Sequence, residues 1–507
     1  MTFRTTTLAT LLAASALVAP QAAMAATARE KALEARLEKL EAQMQALQAQ
    51  LATAQGEQAS AQAAVVEARA ATAQAQAAAA QAQAATAQAG ETRTKLAALE
   101  TRPQPEGFRN GNTTLKLGGY LKLIAAYSHF SNGSVPSNTL GRDFYLPQAI
   151  PTTPGGRGFT TEDFTAKQTR LWLNFDSQVA GHAVKGYLET DFQTTPSAST
   201  SVTGGGSQRT TNGYTLALRR AILTVDKFTF GQDWTTFQYT GALPESTDYV
   251  GGAEGTVFVR EPLIRYSTPL SRQLTLHLGI ENPESALAMA GSAAVMESGT
   301  DHMPDFTARL AYAGQRGELS VAALVRQVRG ESTGTALVNN TASAGAVGSG
   351  VTAGGLGGSL GGKLFLNDAR TSDIRFIAAY GRNIGRYVGL NFAPDAVYNP
   401  ATNRLADVDV FAALASAHLA VTPHLRVNLM GSVQTVHYAS GLTFAQLNGL
   451  NKRAWSAAAN LFYTPVKNID LGIEYRHGER TVVNATIANG EAKGQIDRVE
   501  FAAKYSF

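Results

Sequence analysis

The clearest pattern in the chain is an alternation of apolar and polar residues that begins near residue 114. The segment LKLGGYLKL (115–123) places Leu115, Leu117 and Leu121 on one parity and Lys116 and Lys122 on the other. Successive side chains of a β-strand point to opposite faces, so this period of two predicts a strand with one apolar and one polar face. Sixteen candidate strands of this kind follow one another, from 114–127 to 495–507.

The connections between these candidate strands alternate between short and long. Short ones include DK and VTPH, whereas the long ones include residues 128–166, 194–214 and 237–259. Turns at one end and loops at the other, over an even number of strands, are typical of outer-membrane β-barrels. Closure leaves no strand edge unpaired in lipid. The pattern predicts a mainly β protein with a 16-stranded antiparallel transmembrane β-barrel over residues 114–507.

The chain ends on RVEFAAKYSF, in which Val499, Phe501, Tyr505 and Phe507 share one parity. Terminal residues of soluble domains usually fray, whereas these read as a complete strand. We expect residues 495–507 to close the barrel by pairing with 114–127. Tyr505 and Phe507 would then lie in the aromatic girdle at the periplasmic rim, as a membrane-assembly terminus.

A soluble β-sandwich is the main alternative fold, because its strands also alternate. Alternation alone does not say which face points inward. A sandwich usually needs seven to nine strands, however, and neither an export signal nor a strict order of short and long connections. These features favour a barrel whose apolar face contacts lipid.

The N-terminus predicts export. Arg4 precedes an uncharged run with the core LATLLAASALVA, and AMA at 23–25 supplies a cleavage site. A basic start, a short apolar centre and small residues at the end define a secretory signal peptide, here residues 1–25. The turns and both barrel termini would then face the periplasm of a Gram-negative-type envelope.

Residues 26–101 predict a periplasmic α-helical coiled coil. Apolar residues spaced four and three apart form an a/d seam, and a single helix cannot bury such a seam alone. We therefore expect a homo-oligomer, with the number of chains left open. A low-complexity linker is the alternative for residues 70–90. RPQPEG then breaks the helix, and residues 102–113 are expected to be a linker. The seam residues are Leu33, Leu37, Leu40, Met44, Leu47 and Leu51.

The amino-acid composition and the motifs argue against several classes of function. Among 507 residues there is no cysteine, so disulfides and thiolate chemistry are excluded. A net charge of +4 is too small over this length to indicate nucleic acid. The eight histidines lack ligand spacing, so we expect no metal and no cofactor. GGSLGGKL (357–364) imitates a P-loop, but Leu364 stands where Ser or Thr must bind magnesium. No catalytic grouping is visible, and an enzyme is not expected.

If the apolar parity faces lipid, the polar parity lines a channel in which arginine is the commonest charged residue. Guanidinium groups are permanently charged and bind carboxylates bidentately, so such a lumen would favour small anions. A structural ion pair in the barrel wall is the equally weighted alternative for any single residue. The candidate channel-lining residues are Lys116, Lys122, Arg170, Lys185, Arg219, Arg260, Arg265, Arg309, Arg326, Arg375 and Arg498.

One long connection is the candidate constriction loop. Residues 237–259 lie between the fifth and sixth candidate strands, where sixteen-stranded channels fold a loop inward. Asp248 and Glu254 would narrow the pore or tune its field, and Arg260 stands where the chain re-enters the wall.

The order of these features resembles the DcaP-like outer-membrane porins. The resemblance is carried by the coiled coil and by LGGYLKL, QTRLWLNF, LRRA, GQDWTTF, PESTDY, REPLIRY and LGIENPES, most specifically over 230–285. It implies a trimer of sixteen-stranded barrels with arginine-lined channels for small anions such as dicarboxylates. By this resemblance Arg170, Arg219, Arg260 and Arg265 lie in the family's motifs. Ala217 departs from the second arginine that the family would have there.

Two functions are therefore compared. The first is a passive, anion-preferring porin in contact with outer-membrane lipids. The second is a structural envelope protein whose coiled coil tethers the outer membrane to peptidoglycan. A trimeric adhesin is opposed by the sixteen strands, because adhesins supply only about four per chain.

Overall fold

The computed structural model describes residues 107–194, 212–297, 299–331, 335–338, 341–344 and 350–507. It also describes Arg69, Thr72, Ala73 and Gln76, which are helical. The predicted signal peptide, the remainder of the predicted coiled coil and linker residues 102–106 lie outside the described residues. The chain divides into two units, Met1–Gln104 and Pro105–Phe507, and the second contains every strand found in the described residues.

Sixteen strands form one closed antiparallel barrel, as the alternation predicted. Each pairs with the next around the ring, and the last pairs with the first. The barrel strands are β2 (Thr113–Phe130), β4 (Arg170–Val179), β5 (His182–Asp191), β6 (Ala217–Val225), β7 (Phe228–Trp234), β8 (Arg260–Pro269), β9 (Leu274–Glu281), β12 (Asp305–Ala313), β13 (Gly317–Gly330), β16 (Val351–Phe365), β17 (Asp373–Arg382), β19 (Arg404–Thr422), β20 (Leu425–Tyr438), β21 (Asn451–Tyr463), β22 (Ile469–Val483) and β23 (Glu491–Ser506).

Shorter elements extend this wall or lie within the loops. The short strands are β1 (Phe108–Asn110), β3 (Phe159–Thr165), β10 (Ala286–Met289), β11 (Val295–Glu297), β14 (Thr335–Val338), β15 (Thr341–Ala344) and β18 (Ala396–Asn399). A four-residue helix covers Leu140–Asp143, and single 3₁₀ turns cover Pro147–Ala149, Thr240–Ala242, Ala253–Gly255 and Gly385–Tyr387. Across the described residues, no helix is both long and apolar enough to span a bilayer.

The C-terminal strand closes the barrel by pairing with the first barrel strand, as predicted. β23 pairs with β2 from Tyr120 opposite Ser506 to Phe130 opposite Ile496. The backbone of Phe507 then exchanges two hydrogen bonds with that of Gly119, at 3.1 and 3.0 Å. The last residue is therefore part of the wall.

The outward parity is apolar. Leu121, Leu123, Phe501 and Tyr505 are exposed on the outside, while Ile124 and Ala502, on the opposite parity, are buried. A soluble globule would have the reverse arrangement. The outer wall is thus suited to contact lipid.

The seven turns of the barrel are short, as predicted, and some use positive backbone φ angles. In the turn between β4 and β5, Ala180 and Gly181 have φ of 51° and 87°. Two successive positive φ values match the right-handed twist of the flanking strands in a two-residue hairpin. The periplasmic end of the wall is therefore built from tight hairpins.

Three long loops fold into the barrel and fill its extracellular half. L1 (residues 131–158), L3 (residues 235–259) and L6 (residues 383–395) meet there. The amide of Phe258 in L3 donates to the carbonyl of Tyr387 in L6 at 3.1 Å, and the amide of Tyr145 in L1 donates to Asp248 at 2.7 Å. Phe237 and Phe392 are buried in the resulting apolar cluster.

Candidate channel constriction

L3 follows the inner wall because inward-facing cations hold its backbone. Arg309 on β12 donates to the carbonyl of Gln238 at 2.7 Å. Arg375 on β17 donates to that of Leu243 at 2.7 Å. Lys122 on β2 donates to the carbonyl of Thr247 at 2.7 Å. Three of the predicted channel-lining cations thus position the loop.

Glu245 fixes the middle of L3 to the opposite wall. Its carboxylate accepts from Arg426 on β20 at 2.9 Å and from Asn428 at 3.1 Å. Burial raises the pKa of Glu245, but hydrogen bonds from His418 and Arg426, with the charge of Arg426, outweigh it and lower the pKa to about 2. The anchor therefore stays charged in mild acid.

The two predicted constriction acids lie within the folded loop and away from open lumen. Asp248 is buried and accepts from the backbone amides of Tyr145 and Val250 at 2.7 and 3.0 Å. Glu254 is 0% exposed and accepts from Ser432 on β20 at 2.8 Å. Their carboxylates hold L3 against L1 and the wall.

The strongest concentration of charge lies where β4, β5 and β6 meet. Arg219 is 2% exposed and donates to Glu189 at 2.6 Å and to Asp191 at 2.7 Å. Arg170 on β4 contacts the same two carboxylates at 3.5 and 3.2 Å. Two of the arginines selected from the sequence thus share one pair of acids.

A β-bulge adds an arginine that alternation missed. Glu189 pairs with Arg220 while Thr190 pairs with Leu218, so Arg219 is the extra residue in β6. As a result, Arg219 and Arg220 both turn inward. Strict alternation from Arg219 would turn Leu223 inward, but Leu223 is exposed on the outer wall. The LRRA motif contained both arginines, and only the bulge decided the orientation of the second.

A third carboxylate continues this group along the wall to β7 and β8. Asp233 on β7 accepts from Arg220 at 2.6 Å and from Arg265 on β8 at 2.9 Å. We call Arg170, Arg219, Arg220, Arg260 and Arg265 the arginine cluster. Five guanidinium charges face three carboxylates, Glu189, Asp191 and Asp233, which leaves an excess of two positive charges.

Arg260 is the member of the cluster without an ion-pair partner among the described residues. Its guanidinium lies over the ring of Trp234, 5.1 Å from the centroid. It also lines a cavity of about 280 Å³ together with Phe144, Tyr249 and Phe258. Within the described barrel, this guanidinium is therefore the one in the cluster whose charge no carboxylate neutralises through an ion pair.

Tyr249 brings L3 against the cluster. Its ring lies 5.0 Å from the guanidinium of Arg219, and its hydroxyl donates to Asp191 at 3.2 Å. Nothing in its sequence context, STDYVGG, indicated this position. Contact between loop and wall makes this the candidate constriction.

The remaining predicted lining residues divide into two groups. Arg326 is 4% exposed and paired with Asp305 and Asp395, and Arg498 is buried and paired with Glu500 at 2.8 Å. These two lie beneath the loops and do not reach open lumen. Lys116 and Lys185 are exposed near the periplasmic ends of β2 and β5. Among the described residues, no cluster of histidine or acidic side chains is suited to a metal.

A family model for the DcaP outer membrane protein matches residues 163–507, more than half of the chain. The chain belongs to the DcaP outer membrane protein family. The family and the closed barrel indicate the outer membrane and a porin-like channel fold. They suggest a channel and not an enzyme. The resemblance drawn from the sequence motifs is confirmed.

One solved structure supports the fold of this DcaP-family chain, and two more are similar to the chain at lower TM-scores. The outer membrane channel DcaP of Acinetobacter baumannii is 24% identical, with a TM-score of 0.60, over 79% of this chain and 99% of that one. An anion-selective porin from Comamonas acidovorans is 11% identical, with a TM-score of 0.46, over 78% and 100%. OmpT of Vibrio cholerae is 11% identical, with a TM-score of 0.47, over 79% and 100%. No functionally curated protein matches the chain.

Proposed function

We propose that this DcaP-family chain is a passive outer-membrane porin that prefers small anions, including dicarboxylates. The observation that carries the proposal is the arginine cluster with its excess of two positive charges and its unpaired Arg260 beside a cavity. Rings of arginine favour anions because the charge is fixed and the local dielectric constant is low.

The ion pairs within the arginine cluster favour passage of a solute through the channel over tight binding of that solute. Arg170, Arg219 and Arg220 each hold a carboxylate, so their fields are reduced and a solute is not trapped. Conduction needs a site that attracts the ion yet releases it. Tyr249 restricts the space beside them and would limit the size of the solute.

Reversal potentials across a planar bilayer test this function. Under a salt gradient the purified protein should show anion selectivity. Replacing Arg260→Gln should lower the ratio of anion to cation permeability roughly twofold or more, because it removes the unpaired charge. Arg382→Gln is the matched control, since Arg382 is an arginine on the outer wall that pairs with Asp409 at 2.9 Å. Cation selectivity of the wild-type channel would reject the proposal.

We further propose a homo-oligomer, with a trimer as the expected state, in contact with outer-membrane lipid. The apolar outer wall and the family membership support assembly within the membrane. The predicted coiled coil in the periplasm would contribute. Native mass spectrometry of the detergent-extracted protein would give the number of chains directly.

A further inference from the structure

A histidine and an arginine outside the arginine cluster face the lumen, on β9 and β12. His277 lies directly opposite Arg309 in the register of these strands, and Ser267 on β8 lies opposite His277. Arg309 is four residues from the periplasmic end of β12, whereas Arg260 begins β8 at its extracellular end. The two guanidinium groups therefore lie at different depths of the channel.

Arg309 lacks the carboxylate that neighbouring lumen arginines have. Arg265, Arg375 and Arg426 pair with Asp233, Asp373 and Glu245 respectively. Among the described residues, Arg309 has no ion-pair partner, and the backbone carbonyl of Gln238 accepts its hydrogen bond. Its charge is therefore not neutralised through an ion pair with any carboxylate of the described residues.

Buried polar atoms of Arg309 and Gln238 are also without partners. Nε of Arg309 is buried and forms no hydrogen bond within the described structure. The carboxamide of Gln238 is buried too, with neither its oxygen nor its nitrogen bonded there. Gln238 is 1% exposed. Buried donors without partners are costly, so an oxygen-bearing ligand or water would stabilise them.

His277 supplies a further donor. Its Nδ1 lies 2.9 Å from the hydroxyl of Ser267. When that hydroxyl donates to Nδ1, a neutral imidazole carries its proton on Nε2. The charged groups that act electrostatically on this ring are Arg309 and Arg265, both cations. The surroundings of the ring therefore favour an anion.

We propose that Arg309, His277 and Gln238 form a second anion-binding station, specific for the carboxylate of a small solute. The inference rests on the proposed function, because it assigns a second site along the same path. Arg260 would bind the solute on the extracellular side of L3, and Arg309 would bind it on the periplasmic side. Two weak sites in series allow entry and release, as multi-site conduction requires. A dicarboxylate can exchange one carboxylate at a time between them.

Succinate is the probe, added from the periplasmic side to a full-length channel carrying chloride current. Its apparent Kd is obtained from the reduction of that current. Arg309→Gln should raise this Kd about tenfold, the loss of one charge-assisted contact. Arg375→Gln removes the same charge in the same half of the lumen, from an arginine that already holds Asp373, and should raise Kd less than about threefold. An equal rise of the Kd in the two variants would contradict the second anion-binding station.

A neutral substitution separates this inference from folding and from the proposed function. His277→Phe keeps the net charge and the ring shape and should raise the Kd about threefold by removing a donor. If the Arg309→Gln variant fails to assemble, the His277→Phe variant decides: a Kd for succinate equal to that of the wild-type channel would contradict the second anion-binding station. Anion selectivity that persists in Arg309→Gln, with an unchanged Kd, would leave the porin proposal intact and reject only the second site.

Discussion

Single residues in this barrel differ in whether their charge is used by the protein or left for a solute. Arg219 and Arg260 both lie in motifs that carry the resemblance to the family. Arg219 turns inward, whereas Arg260 stands at the extracellular end of β8 on the strand parity of Pro262 and Ile264, which are exposed on the outer wall. Arg219 is enclosed between Glu189 and Asp191, at 2.6 and 2.7 Å. Arg260 has only an aromatic ring beside it. We therefore expect substitution of Arg219 to affect stability and substitution of Arg260 to affect selectivity.

Replacing Arg219→Ala should destabilise the barrel by about 3–5 kcal/mol, because two buried carboxylates would lose a partner that they share. Unfolding in urea, followed by tryptophan fluorescence in detergent, measures this free energy. Arg382→Ala breaks an ion pair on the exposed outer wall and should cost no more than about 1 kcal/mol. Similar losses in both variants would show that Arg219 does not hold the wall together.

At the scale of elements, L3 is the part that converts a wide barrel into a restricted channel. Lys122, Arg309 and Arg375 bind its backbone carbonyls, and Glu245 binds back to Arg426. These contacts come from strands on several sides of the barrel. The position of the loop therefore depends on the closed wall as a whole.

Replacing Glu245→Gln should loosen L3 and lower the free energy of unfolding by about 2 kcal/mol, because charge-assisted hydrogen bonds to Arg426 are lost. Wild-type channels should then be quieter than variant channels in single-channel recordings. An unchanged current and an unchanged stability would contradict the anchoring role of Glu245.

The difference in unfolding free energy between the wild-type protein and the Glu245→Gln variant should depend on pH. The pKa of Glu245 is lowered in the folded protein from its ordinary value of 4.5 to about 2. The carboxylate therefore contributes its full stability above pH 4.5, and the contribution is lost as pH falls through about 2. The difference in unfolding free energy between wild type and variant should be constant from neutral pH to about 4.5 and decrease below it. A difference that already disappears near pH 6 would contradict this assignment.

For the whole molecule, the ring of strands is complete within residues 113–507. β2 meets β23, and Phe507 contributes the last two backbone hydrogen bonds to Gly119. Every barrel strand has a partner on both sides without any residue before 108. The barrel therefore has the elements that it needs for closure.

Deleting residues 27–100 should leave a conducting channel with the wild-type unit conductance, as measured in planar bilayers. The predicted signal peptide, residues 1–25, stays in place, so export should be retained. The tethering hypothesis predicts that cells carrying this deletion shed envelope vesicles while the pore still conducts. Loss of conductance in the deletion variant would show that barrel assembly needs the N-terminal region.

The sequence by itself determined the barrel. The alternation within a strand and the length of a connection depend only on residues that are close in sequence. The aromatic last strand can also be recognised without knowing its partner. Sixteen strands and their closure could therefore be predicted. Motifs carried by residues 230–285 also identified the family. The same alternation predicted which arginines face inward, including Arg170, Arg219 and Arg265.

Only the tertiary structure decided which charges are available. The bulge that turns Arg220 inward is a register shift between two strands, and one strand's sequence does not contain it. Asp248 and Glu254 are enclosed because L1 and L3 meet inside the barrel, and Arg326 is enclosed beneath L6. Whether a guanidinium is paired depends on residues distant in sequence. The availability of Arg260 and Arg309 is therefore a property of the folded barrel.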